Sequence, residues 1–262
     1  MCIRDSINSS GLDKQPNGLL LKARALFEGG KTREAVSLLE SKSSSFTGPA
    51  REAVLSQLTR YHILLDQSRI ALAVNQERID ADEAAFFPQI QKLHLLDRVG
   101  LREDFDKQLK LIFTRYAANS AAMLALANFA AEKGYSELTG AIAIAASQQG
   151  FERVTFAVLH LEALVKGPDP SQAITQYQQI VAADRTYFKA KEPLVMALLG
   201  IAHHARQKSN PKTAKIDRDT GNRYLEEFLK AKDLGPEAYR SVGRHLRAIR
   251  AGEPAVRILE AG

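Results

Sequence analysis

Apolar residues recur along this chain at intervals of three and four, in short runs backed by polar residues and closed by a break. Leu19, Ala23, Leu26 and Phe27 share one helical face before Gly29-Gly30. Ala35, Leu38 and Leu39 form the next face, and Leu55, Leu58, Tyr61 and His62 follow the polar turn 43–49. A return helix at 68–79 carries Ile70 and Val74 inward and is expected to expose Glu77 and Arg78. Helices therefore come in pairs. First helices are predicted to start near Leu19, Arg51, Ala84, Ala121, Glu152, Lys189 and Glu237. Clusters of β-branched residues are short, and no Asn-Gly turn joins two alternating runs, so no sheet is expected.

The breaks fall at a nearly fixed interval: Gly134 follows Gly100 by 34 residues. The turn column reads Gly30, Leu65, Gly100, Gly134, Pro168. Five residues later stand Ala35, Ile70, Phe105, Thr139 and Ala173, and four beyond those Leu39, Val74, Leu109, Ala143 and Tyr177. On the first helices a small-residue column reads Ala23, Leu58, Leu93, Ala127, Leu161. A small residue lets two helix backbones approach, and a large one opposite fills the space beside it. Helix pairs at this period bury their apolar faces against neighbouring pairs, which is the sequence signature of an α-solenoid.

In these columns the chain resembles the tetratricopeptide-repeat family. Its units are degenerate: Trp is absent, and Leu58, Leu93, Ile70 and Phe105 stand where small residues are usual. The resemblance implies an all-α, right-handed superhelical solenoid of antiparallel helix pairs, with about six and a half units. It also implies a concave groove lined by first helices, where partner segments bind. Residues one past the small column would project into that groove, namely Arg24, Thr59, His94, Asn128 and Glu162. They differ in charge and size, so no uniform carboxylate clamp is expected.

Residues 1–15 carry no period and are expected to be disordered or artefactual, since the first six resemble a sequencing-adaptor remnant. The helical repeat domain spans 16–262, with units near 16–49, 50–83, 84–118, 119–151, 152–187, 188–235 and a truncated unit at 236–262. The sixth unit holds an insertion at 207–215, where Ser209-Asn210-Pro211 suggests a polar loop before a return helix at 219–232. The short last unit leaves self-association through its uncapped end as one route to a partner.

Composition narrows the chemistry. Cys2 is the single cysteine, which removes disulfide, redox-pair and Cys-based zinc chemistry. No Gly-rich phosphate loop, nucleophile elbow or His-Glu metal motif is present. His203-His204 diverge on a helix and read as a surface pair at a helix end, and Asp80, Asp82 and Glu83 suit a helix N-cap. The expectation is no enzyme activity, no cofactor and no metal. Of the net charge of +6, a surplus of five comes from 201–262, with 13 Lys/Arg against 8 Asp/Glu. Arg240, Arg244 and Arg247 follow helical spacing there and are the candidate contact for an anionic partner.

The leading expectation is a non-catalytic scaffold that binds a protein or peptide partner. The alternatives are an RNA-binding helical repeat and the helical accessory domain of a larger enzyme. Nucleic acid is disfavoured, because the basic residues lack interleaved aromatics and the groove column shows no recurrent polar code. No run is apolar enough to span a bilayer. The sequence leaves the compartment open between cytoplasm and, if a leader or anchor was lost, periplasm or a membrane tether.

Overall fold

The computed structural model describes residues 15–231 and 234–262, so the reading of 1–15 falls, apart from Gln15, outside the described residues. Within them the chain forms fourteen α-helices and one 3-10 turn, and no strand. It divides into two compact units, the first ending at Tyr116 and the second beginning at Ala117. The sequence pattern had suggested a single array over 16–262.

The first unit holds α1 (Pro16–Glu28), α2 (Thr32–Ser43), α3 (Gly48–Leu64), α4 (Ser68–Ala81), α5 (Phe86–Val99) and α6 (Arg102–Tyr116). Each helix packs on the next, and α1 also packs on α3. The second holds α7 (Ser120–Lys133), α8 (Ser136–Gln148), α9 (Arg153–Lys166), α10 (Ser171–Ala183), α11 (Glu192–Ser209), α12 (Ala214–Leu229), α13 (Pro236–Ala248) and α14 (Gly252–Ala261). Here α7–α9–α11–α13 form a continuous line of contacting first helices, with the return helices packed beside them.

Two local devices set this arrangement. Proline lies in the first turn of α1, α3, α11 and α13, where its missing N–H loses no helical bond. Five hairpins then close with the same backbone bond: Lys31 N to Leu26 O, Gln67 N to His62 O, Leu101 N to Leu96 O, Tyr135 N to Ala130 O and Ala251 N to Leu246 O, all between 2.8 and 3.0 Å. This is the bond of the Schellman turn, which needs one left-handed residue just past the helix. Gly30, Gly100 and Gly134 supply it in three hairpins, and Asp66 and Arg250, with φ of 59° and 57°, supply it in the other two.

The insertion is not a loop. Helix α11 runs 18 residues to Ser209, a tight turn spans 210–213, and α12 starts at Ala214, five residues before the expected Asp219. The extra residues lengthen both arms of the hairpin. Glycines let those arms close: a Cβ on Gly200 would lie 2.7 Å from Leu225 Cγ and 3.2 Å from the Gly221 carbonyl.

Candidate functional site

The first unit contains one departure from the stacking pattern. Helices α3 and α5 both pack on α4, yet no Cα of one lies within 8 Å of the other. The small-residue column that holds Ala23 in α1 and Ala127 in α7 holds Leu58 and Leu93 in this pair, and both leucines are buried. Leu161 fills the same column in α9, which packs on both α7 and α11, so a leucine there does not by itself hold helices apart. A cleft of about 630 Å³ opens between the starts of α3 and α5.

Arg78 of α4 spans this gap and is 5% exposed, contrary to the sequence expectation of an exposed residue. Its guanidinium holds Glu52 of α3 with Nε at 3.0 and 3.1 Å and Nη2 at 2.6 Å. It also donates to Gln91 of α5 and to Asn75 Oδ1 at 3.1 Å. Asn75 in turn donates to the Pro88 carbonyl at 2.8 Å. One guanidinium thus joins three helices, and it is buried because each partner comes from a different helix. The rim is pinned as well: the Glu83 carbonyl accepts from Gln89, Arg115 and Tyr116. The Asp82 carboxylate accepts from Ala84 N at 3.0 Å, so it closes the turn before α5, whose N-cap is Ala85.

One ring of the cleft lies open to solvent. Phe87 is 69% exposed, with its ring 4.1 Å from that of Phe86. Arg51 pairs with Glu77 through Nη2 at 2.9 Å, while its Nε is buried and bonds nothing. An exposed apolar platform between ordered walls can seat an apolar side chain, while the Arg51 Nε is closed to solvent.

The five predicted groove residues do not fare alike. In the first unit Arg24 is exposed and paired with Glu28 at 2.7 Å, and His94 is half-buried. Thr59 is fully buried and donates to the Leu55 carbonyl at 2.8 Å, so it presents nothing to a partner. In α3 both residues 58–59 and 61–62 are buried, and a rule based on one exposed stripe fails there. In the second unit Asn128 is exposed, and Glu162 is held by Lys166 at 2.6 Å.

His203 and His204 are buried, not a surface pair. His203 Nδ1 lies 2.8 Å from Oδ1 of Asp217, which is fully buried. Arg206 reaches the same oxygen at 2.5 and 2.9 Å, and Thr213 donates to Oδ2 at 2.6 Å. Burial pushes the Asp217 carboxyl up, but the bonds from Arg206, Thr213 and His203 outweigh it and hold it at about 2. Burial also lowers the pKa values of His203, His204 and His160. His204 Nε2 lies 3.1 Å from Asn222 Oδ1. The cluster ties α11 and α12 together near their connecting turn.

Arg240 and Arg244 are exposed and share one carboxylate, Glu237, at 3.5 and 2.9 Å; Arg247 is exposed beside them. Among the described residues no helix is long and apolar enough to cross a membrane, and no three His, Cys, Asp or Glu side chains are placed to hold a metal ion.

The fold and cleft define the class: an all-helical chain of adjacent helix pairs with a preformed cleft between two of its first helices. No family model matches the chain, and no curated protein is significantly similar to it.

Proposed function

We propose that this chain is a non-catalytic protein-interaction scaffold of degenerate tetratricopeptide-like units, wound as a right-handed solenoid, and that it seats a peptide segment in the α3–α5 cleft. The observation that carries this reading is exposed Phe87 in a cleft whose walls are fixed by Arg78. An extended segment places an apolar side chain on Phe87. Because the walls are already ordered, little conformational entropy is lost on binding. Arg240 and Arg244 are partly neutralised by Glu237, which weakens the case for a phosphate track.

The test is selection of random peptides on the full chain, followed by binding of the enriched peptides to Phe87→Ser and to the triple variant Arg240→Ala, Arg244→Ala, Arg247→Ala. Enriched peptides should share an apolar anchor and lose about tenfold or more in affinity with Phe87→Ser, the cost of a central contact. The triple variant should bind them unchanged. Tight binding of a random-sequence RNA strand at about 150 mM salt, persisting in the triple variant, would overturn the scaffold reading in favour of an RNA-binding repeat.

A further inference from the structure

A second open trough lies on the return-helix side of the first unit. Helices α4 and α6 each pack on α5, but no Cα of α4 lies within 8 Å of α6. The gap between them is a cleft of about 600 Å³, floored by α5 through Lys92 and Leu96. Its apolar surface comes from Leu72 of α4, Leu96 of α5, and Leu101 and Leu111 beside and on α6. Leu101 and Leu111 are 40% and 38% exposed, so the apolar surface is open to solvent.

The charges around it are one-sided. Arg69, Lys92 and Lys107 line the trough against a single carboxylate, Asp104. Arg69 has no carboxylate partner among the described residues, and Lys92 donates to the neutral amide of Gln76 at 2.9 Å. Lys107 is paired with Glu103 at 2.7 Å, an ion pair in which both side chains are largely exposed. Such a pair is worth little and yields easily to a competing carboxylate.

We infer that this trough is a docking site for an acidic amphipathic helix of a partner protein, distinct from the peptide cleft at α3–α5. Two flanking helices that do not touch leave a groove above the floor helix, and helix-in-groove recognition uses apolar side chains at i, i+3, i+4 and i+7. The leucines take those anchors. The three cations select Asp and Glu on the flanks and repel Lys and Arg, which sets partner choice and association rate more than affinity.

The test uses three synthetic peptides of one length. The first places Leu at i, i+3, i+4 and i+7 with Glu elsewhere, the second replaces Glu by Lys, and the third scrambles the first. Fluorescence anisotropy of each with the full chain, at about 50 and 500 mM salt, should show binding of the acidic amphipathic peptide, weakened at high salt. The basic and scrambled peptides should bind about tenfold or more weakly. Leu111→Asp, and separately the exposed pair Arg69→Glu with Lys107→Glu, should each remove most of that binding, with folding checked by circular dichroism. Phe87→Ser should leave it unchanged. The inference fails if no acidic peptide binds, or if the scrambled or basic peptide binds equally. It also fails if Phe87→Ser removes binding while the Leu111 variant keeps it, or if decanoate, a simple anionic amphiphile, occupies the trough and the peptide does not.

Discussion

The α3–α5 seam and the α11–α12 hairpin both bury charge, and they use it in opposite ways. At the seam Arg78 bridges helices whose backbones stay apart, and Glu52 at the far end remains partly solvated. At the hairpin Asp217 is fully buried between helices that Gly200 and Gly221 bring together. The first network props a space open, and a cleft results. The second draws two helices together around Asp217, His203 and Arg206. The lesson is that a buried ion can bridge a gap or fasten a contact, and at the hairpin the glycines beside it permit the contact.

The strongest way to break the comparison is Asp217→Ala. It strands Arg206 and His203 beside an empty acceptor site, and the second unit should lose about 3 kcal/mol, the usual cost of removing one partner of a buried pair. Chemical denaturation followed by hydrogen exchange in α11 and α12 measures it. The pH profile sharpens the same point. The lowered carboxyl of Asp217 supplies stability that is complete above its unfolded value near 4 and is lost as pH falls toward 2. His203, His204 and His160 are also lowered, so the second unit should already weaken as pH falls below their unfolded value of about 6.5. A second unit equally stable at pH 7 and pH 5 would contradict this.

Arg78→Met tests the spacer. It removes bonds to three helices but leaves Glu52 able to turn to solvent, so the loss should be about 2 kcal/mol, the scale of hydrogen bonds to a charged group. Loosening should appear as faster exchange in α3 and α5 and as weaker binding of any peptide seated at Phe87. Gly200→Ala should give the smallest change. The added Cβ meets Leu225 at 2.7 Å, a side chain that can rotate, and the gain in helix propensity offsets part of the strain. A net loss of about 1 kcal/mol in thermal unfolding is expected. No loss at all would show that the hairpin does not depend on close approach there.

Much of the helical framework was legible in the sequence, because it follows from local pattern. First-helix starts fall within about three residues of the positions read from apolar period and punctuation. The glycine turn column identified Gly30, Gly100 and Gly134, the three hairpins whose left-handed residue is a glycine. Asp66 was missed in favour of its neighbour Leu65, since a left-handed aspartate leaves no mark in composition. The sites were less visible. Arg78 read as solvent-facing because its partners lie 13 and 26 residues away along the chain. A faint signal was available in the polar residues Asn75, Gln89 and Gln91, which cluster around one seam. The hairpin extension was hidden for a similar reason: Ser209-Asn210-Pro211 spells a loop, while Asp217 and His203 fasten the arms on either side of it.

The shared hairpin closure has a consequence for how such a chain can change over time. The bond that closes these five hairpins joins one backbone amide to one backbone carbonyl, and it forms whether the left-handed position holds glycine, aspartate or arginine. A non-glycine residue there costs about 1 kcal/mol, a sum that the apolar contacts of a helix pair can absorb. The turn therefore places no demand on any one side chain. A lineage of such pairs can exchange its signature residues one at a time and keep the fold at every step.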